Sequence, residues 1–147
     1  MGDPRATRIL AVLAFSRRRI KLEGVSIEAP TDLLPHVRRD ADRKQEHFLC
    51  ASINGANEIL NIRVVSAGLI DRTPVHPREV FADALADRAS AVIVAHNHPA
   101  GSLEPSRSDI AATAQLKSEG TVLGIALLDH IIFNRAGYFS FLEAGRL

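Results

Sequence analysis

Apolar and polar positions fall into blocks whose spacing predicts alternating strands and helices. Ala91-Val92-Ile93-Val94-Ala95 is an unbroken apolar run with no polar face, the pattern of a buried strand. Glu46–Ile53 and Glu58–Ser66 are strand-like and flank Asn54-Gly55-Ala56-Asn57, a turn, so they predict a hairpin that Gly68 ends. Pro77 opens a helix at its first position, running to about Arg88, with Val80, Phe81, Ala84 and Leu85 as the buried face. A second helix begins at Ser106 and ends near Gly120 as its C-cap. Val122–Leu128 is another apolar strand, which Ile131-Ile132-Phe133 continues or resumes. Asn134–Gly137 turns the chain, and Tyr138–Phe141 alternates as an edge strand. Upstream, Ala29-Pro30-Thr31-Asp32 reads as a helix start with Thr31 or Asp32 as N-cap, the helix continuing to about Asp42 with Pro35 in its first turn. Residues 1–8 look loose, and the apolar stretch 9–15 fits a short helix or a strand. Strands mixed with helices, and hairpins at both ends, predict an α/β or α+β sheet flanked by helices.

Composition refines this only slightly. The chain has 147 residues, 46% hydrophobic and 24% charged, with formal net charge +1, which suits one domain and implies no strong field toward nucleic acid or membrane. The basic run Arg17-Arg18-Arg19-Ile20-Lys21 reads as a solvated loop or strand edge in preference to a phosphate-binding patch. The single cysteine, Cys50, excludes an intrachain disulfide and a Cys-rich zinc site, and its apolar surroundings mark it as buried. The run 9–15 is too short to span a bilayer and nothing resembles a signal peptide, so a cytoplasmic location without membrane contact is expected.

The chemistry concentrates just beyond the strand 91–95. His96 and His98, at i and i+2 at a strand end, project to the same side. Asp109 adds a carboxylate, and two imidazoles with one carboxylate make a three-ligand zinc set whose fourth position is open to water, the catalytic arrangement. Each part also has a plainer reading. Ser106-x-x-Asp109 is a capping-box pattern, and a histidine at a strand end commonly satisfies a backbone carbonyl. The loop 99–105, with Pro99, Gly101 and Pro105, lets the helix start return to the strand end, so that both histidines and the helix N-terminus face one point.

His96-x-His98-Pro99, then Ser106-x-x-Asp109, resembles the JAMM metalloprotease motif of JAB/MPN domains. More narrowly, Ala95-His96-Asn97-His98-Pro99-Ala100-Gly101, Pro105-Ser106-x-x-Asp109-x-x-x-Thr113 and Leu128-Asp129-His130-Ile131-Ile132 resemble the RadC-like branch. So do Gln45-Glu46-His47-Phe48 and His76-Pro77-Arg78-Glu79-Val80-Phe81. The resemblance implies a cytidine-deaminase-like mixed sheet flanked by helices, with residues 1–29 as an N-terminal extension and 30–147 as the domain. It implies one Zn2+ per chain held by His96, His98 and Asp109, with water as fourth ligand. It gives an upstream glutamate the role of general base, with Glu46 and Glu79 as candidates and Glu46 at the matching family position, and Ser106 that of a hydrogen-bond donor to the oxyanion or to the water. Glu79, in the first turn of a helix, is read as structural, Glu58 as solvated and Glu104 as an exposed loop acid. His47 should point away from the metal, His36 belongs on a helix surface, and His76 can cap the helix at Pro77. His130 is either a group that holds a ligand in place or a satisfied interior polar residue.

The chain departs from the family in two places. Gly101-Ser102 stands where members often have Gly-Asp, a loop position outside the ligand set. Residues 1–29 offer no pair of helices for the helix-hairpin-helix region common in RadC-like proteins, which weakens any DNA association implied through it. The expected activity is that of a zinc metallopeptidase of JAMM type, a metallohydrolase cutting a peptide or isopeptide amide in a peptide or protein substrate. The alternative is a non-catalytic binding module associated with DNA repair or mobile-element DNA. A nuclease of the His-Asn-His type ranks below both, since that class spreads its residues over a ββα unit.

Overall fold

The computed structural model describes residues 19–42, 44–67, 76–99 and 101–147. Among these residues six strands form one sheet: β1 (Arg19–Ser26), β2 (His47–Ile53), β3 (Glu58–Ala67), β4 (Ala91–Asn97), β5 (Ala126–Phe133) and β6 (Tyr138–Ser140). Their order across the sheet is β1-β3-β2-β4-β5-β6. Every neighbouring pair is antiparallel except β4 and β5. A parallel pair needs a crossover. Helix α3 (Arg107–Leu123) supplies it, following the single turn α1 (Leu34–Val37) and helix α2 (Pro77–Ala86) in the chain. The architecture is the mixed α+β sheet expected from the pattern.

Both faces of the sheet are covered. On one, Leu33, Leu34 and Val37 pack with Leu49, Ile53, Ile62, Ile93 and Phe133. On the other, Val80, Phe81 and Ala84 of α2 and Leu116 of α3 pack with Cys50, Val92, Val94 and Leu127. The run at 91–95 is fully buried because β4 lies inside the sheet between these two layers. Cys50 is buried as expected, and burial pushes its thiol up to about 12.

Several expectations need correction. The segment from Pro30 is not one helix. It runs as a 3-10 turn (Pro30–Leu33), α1, and a second 3-10 turn (Arg38–Asp42). The N-cap is Ala29, so neither Thr31 nor Asp32 holds that place; the Asp32 carboxylate instead accepts from the Glu28 and Ala29 amides at 2.8 and 3.0 Å. Helix α2 ends at Ala86, and Leu85 is 50% exposed, outside the buried face. Helix α3 continues past Gly120 to Leu123, and Gly124 is its C-cap with φ 74°. Val122 and Leu123 therefore belong to the helix, and the strand from Ala126 runs unbroken through Phe133. The last strand stops at Ser140. Glu58 is half-buried, accepting from Asn54 Nδ2 at 3.0 Å, and is not merely solvated. The readings of residues 1–15, of Arg17 and Arg18, and of Gly68 fall outside the described residues.

Candidate metal centre

The C-terminal end of β4 carries the site. His96 is the sixth residue of that strand and pairs with Phe48 on β2 and Ile132 on β5. His98 follows directly, its amide donating to the Phe133 carbonyl at 3.0 Å, so the backbone remains extended and both rings fall on one side. Asp109 comes from the first turn of α3. There Ser106 is the N-cap, its Oγ accepting from the Asp109 amide at 3.1 Å while Asp109 Oδ2 accepts from the Ser106 amide at 2.8 Å. The capping box and the three-ligand reading are thus compatible, since one carboxylate serves both.

The donor atoms converge. His96 Nε2 and His98 Nε2 lie 2.8 Å apart, Asp109 Oδ1 is 3.3 Å from the first and Oδ2 is 3.4 Å from the second. Together they form a group that can hold a metal ion. A tetrahedral zinc with Zn–N bonds of about 2.0–2.1 Å separates its ligand atoms by about 3.3 Å. Each nitrogen–oxygen distance is near this value, one to each oxygen of the carboxylate. The two imidazoles need to spread by ~0.5 Å to reach it, a small ring rotation.

The charges around the group are consistent with a cation position. Burial opposes ionisation of Asp109, but its contacts with His96, His98 and the Ser106 amide outweigh burial and hold the carboxyl well below the usual range. The Asp109 carboxylate, with help from the Ser102 carbonyl, raises His98 against the opposing effect of burial. That carbonyl lies 2.8 Å from His98 Nδ1. A carbonyl can only accept, so Nδ1 carries a proton and the neutral ring presents its Nε2 lone pair to the shared point.

Behind the ligands lies a second layer. His130 Nε2 is 2.8 Å from His96 Nδ1, and His130 Nδ1 is 2.6 Å from Thr113 Oγ1. His130 is fully buried, with its ring stacked on Phe141 at 5.0 Å. Burial first, then the neighbouring His96, push it well below the ordinary histidine value. Asp129 holds the C-terminal segment in place, accepting from Ser140 Oγ at 2.5 Å and the Leu142 amide at 3.0 Å. His130 contacts a candidate ligand and is also an interior residue with both ring nitrogens hydrogen-bonded, so its position fits both of the readings left open for it.

Glu46 sits just before β2, its side chain 53% exposed, with Oε1 3.8 Å from His98 Nε2. Asn97, fully buried between the two histidines, brackets it: Oδ1 accepts from the His47 amide at 2.6 Å and Nδ2 donates to the Gln45 carbonyl at 3.1 Å. Sequence reasoning assigned no role to Asn97 or Thr113, although both fall inside the quoted motifs. Glu79 stays in the first turn of α2, 61% exposed beside Arg78. His47 turns toward Asp40, and His76 caps α2 by accepting from the Arg78 amide at 3.2 Å. His36 is half-buried and Glu104 exposed. Ser106 Oγ is engaged with the Asp109 amide and with Ser108 Oγ at 2.9 Å.

A six-stranded α+β sheet with a His-His-Asp group at the end of its central strand defines a JAB-type domain. The chain belongs to the RadC-like JAB domain family, whose profile matches residues 27–146. It is 40% identical over 152 residues to a UPF0758 protein of Methanospirillum hungatei, an alignment covering 100% of this chain and 68% of that relative. A UPF0758 protein of Pelodictyon phaeoclathratiforme is 37% identical over 150 residues, with 100% and 68% covered. One from Bacillus cereus is 35% identical over 151 residues, with 100% and 67% covered. No helix among the described residues is long and apolar enough to cross a membrane.

Proposed function

We propose that this protein is a zinc-dependent metallohydrolase of the metallopeptidase or isopeptidase type, acting on an amide of a peptide or protein. The observation that carries the reading is the convergence of His96 Nε2, His98 Nε2 and the Asp109 carboxylate on one point. Zinc in such a set supplies Lewis acidity, polarising a carbonyl and lowering the pKa of a coordinating water. Glu46 is the general base, because its carboxylate stands one water's reach from the ligand set and is open to solvent. It takes a proton from the attacking water and returns it to the leaving amine. Ser106, at the N-terminus of α3, donates its hydroxyl hydrogen toward the developing oxyanion, beside the positive end of the helix dipole. A cleft of about 520 Å3 lined by Lys44, His98, Pro99, Gly101, Asn134 and Arg135 gives a substrate chain room to reach the site.

The test is elemental analysis of the purified protein together with a peptide and isopeptide cleavage screen. One zinc per chain is expected. His96→Ala and Asp109→Ala should lose the metal, whereas Glu46→Gln should keep it and lose cleavage. Undiminished zinc in the His96→Ala, His98→Ala double variant overturns the assignment.

A further inference from the structure

We propose that Thr113 and His130 are positioning residues that fix the tautomer of His96, through a one-way chain of hydrogen bonds that starts at the Asp109 backbone carbonyl and turns the His96 Nε2 lone pair toward the ligand point. The inference rests on the metal-site reading above, but its geometry stands without an ion.

The direction of each bond follows from the one before it. Thr113 Oγ1 lies 2.8 Å from the Asp109 carbonyl, one helical turn earlier. The carbonyl can only accept, so the single hydroxyl hydrogen of Thr113 points there. Were it to point at His130 instead, two oxygens bearing only lone pairs would face each other at that distance. Thr113 Oγ1 is therefore the acceptor in its 2.6 Å contact with His130 Nδ1, which must carry the ring's proton. Neutral His130 then has a bare Nε2, and across the 2.8 Å contact His96 Nδ1 must be the donor. With its one proton committed at Nδ1, His96 offers a lone pair at Nε2.

His98 reaches the same state by a shorter route, its Nδ1 proton committed to the Ser102 carbonyl at 2.8 Å. With both rings neutral, two lone pairs consequently face each other at 2.8 Å beside a carboxylate, an arrangement that a metal cation or a proton shared between them relieves. Asp109 is used at both ends: its carboxylate joins the ligand set and its carbonyl anchors the chain that orients another ligand. Thr113 is 3% exposed and His130 is completely enclosed, so water does not compete for these bonds.

The experiment is long-range proton–nitrogen NMR on the 15N-labelled, metal-free full chain. The pH should be about 8.5, roughly two units above the ordinary histidine value. His96 and His130 should both appear as Nδ1–H rings. Thr113→Val keeps the shape and removes the acceptor. It should move the His130 proton to Nε2 and hence the His96 proton to Nε2, where it occupies the ligand position. Zinc affinity, read by chelator competition with Zn2+ alone, should fall about 10–100-fold. Thr113→Ser should restore both the tautomers and the affinity. His96 found as Nε2–H in the parent protein, or left as Nδ1–H by Thr113→Val with the amide spectrum intact, overturns the proposal. Parent protein with these tautomers that takes up no zinc supports the chain and overturns the hydrolase reading, so the two failures are distinguishable.

Discussion

Asn97 illustrates how much a single side chain between two ligands can do. Its amide group grips the backbone on either side of Glu46, through the Gln45 carbonyl and the His47 amide. The carboxylate is itself half exposed, and these two bonds fix the backbone that carries it. Asn97→Ala should leave zinc content unchanged and reduce turnover by ~10²-fold, the usual cost of displacing a reacting group by about an ångström. Amide exchange at His47 should accelerate in the same variant; unchanged exchange and unchanged turnover together would remove Asn97 from the site. The candidate metal-binding trio was legible in the sequence because His96, His98 and Asp109 lie within fourteen residues, on a strand end and a helix start that local patterning identifies. The grip of Asn97 on His47 was not, because it joins residues fifty positions apart. The Thr113–His130 contact spans a crossover in the same way. Nothing in the spacing of either pair announces that they meet.

Among the elements, the two long helices show where patterning misleads. A glycine after an apolar-periodic stretch is a good stop signal, and Gly120 reads that way. The actual stop is Gly124, in the left-handed region, while Gly120 lies within the helix, and the position takes glycine because a Cβ there would lie 2.4 Å from the Ile125 carbonyl oxygen and 3.2 Å from the Phe81 ring. Close packing of α3 on the chain that follows it and on α2 outweighs the ~1 kcal/mol that glycine costs in a helix interior. Helix α2 is in turn tied to the sheet by Arg63 of β3, whose guanidinium forms paired hydrogen bonds with the Asp87 carboxylate, one of them at 2.8 Å. Burial raises Asp87, but Arg63, with Ser52 and Asn61, outweighs it and holds the carboxyl below its ordinary value. A carboxyl depressed in the folded state stabilises fully above the unfolded pKa of about 3.9 and loses that contribution as pH falls through the folded value. Asp87→Asn should therefore cost about 1.5–3 kcal/mol at neutral pH, the range for a hydrogen bond to a charged group. In urea titrations the gap from the parent should close below about pH 4; a gap that persists in acid would show that the cost lies elsewhere than in the charge.

Across the whole molecule, the position of the site follows from one topological choice. Four of the five neighbouring strand pairs are antiparallel, and among the described residues only β4 and β5 run parallel. The crossover between them must return from the end of β4, and this is what places the start of α3 beside the last residues of that strand. Ligand sites in sheets of this kind gather at the carboxyl ends of strands for the same reason. Five of the strands and the fold class could be read from alternation and turns, but not β1, whose residues read only as a basic loop or strand edge, nor the order in which the strands assemble. That β2 lies between β3 and β4, and that β1 closes the far edge, depends on pairings between distant segments that leave no local pattern. One consequence concerns time. Because Asp109 supplies a carboxylate to the ligand group, a reciprocal bond to the Ser106 cap and the carbonyl under Thr113, unwinding the first turn of α3 withdraws all three at once. That turn is a latch, and the lifetime of bound zinc should equal the waiting time for it to open. With a large excess of chelator, the release rate should reach a plateau independent of chelator concentration. The plateau should coincide with the opening rate at the Ile110 amide, which bonds to the Ser106 carbonyl at 3.0 Å; a rate that climbs in proportion to chelator would mean that the ion leaves through a closed latch.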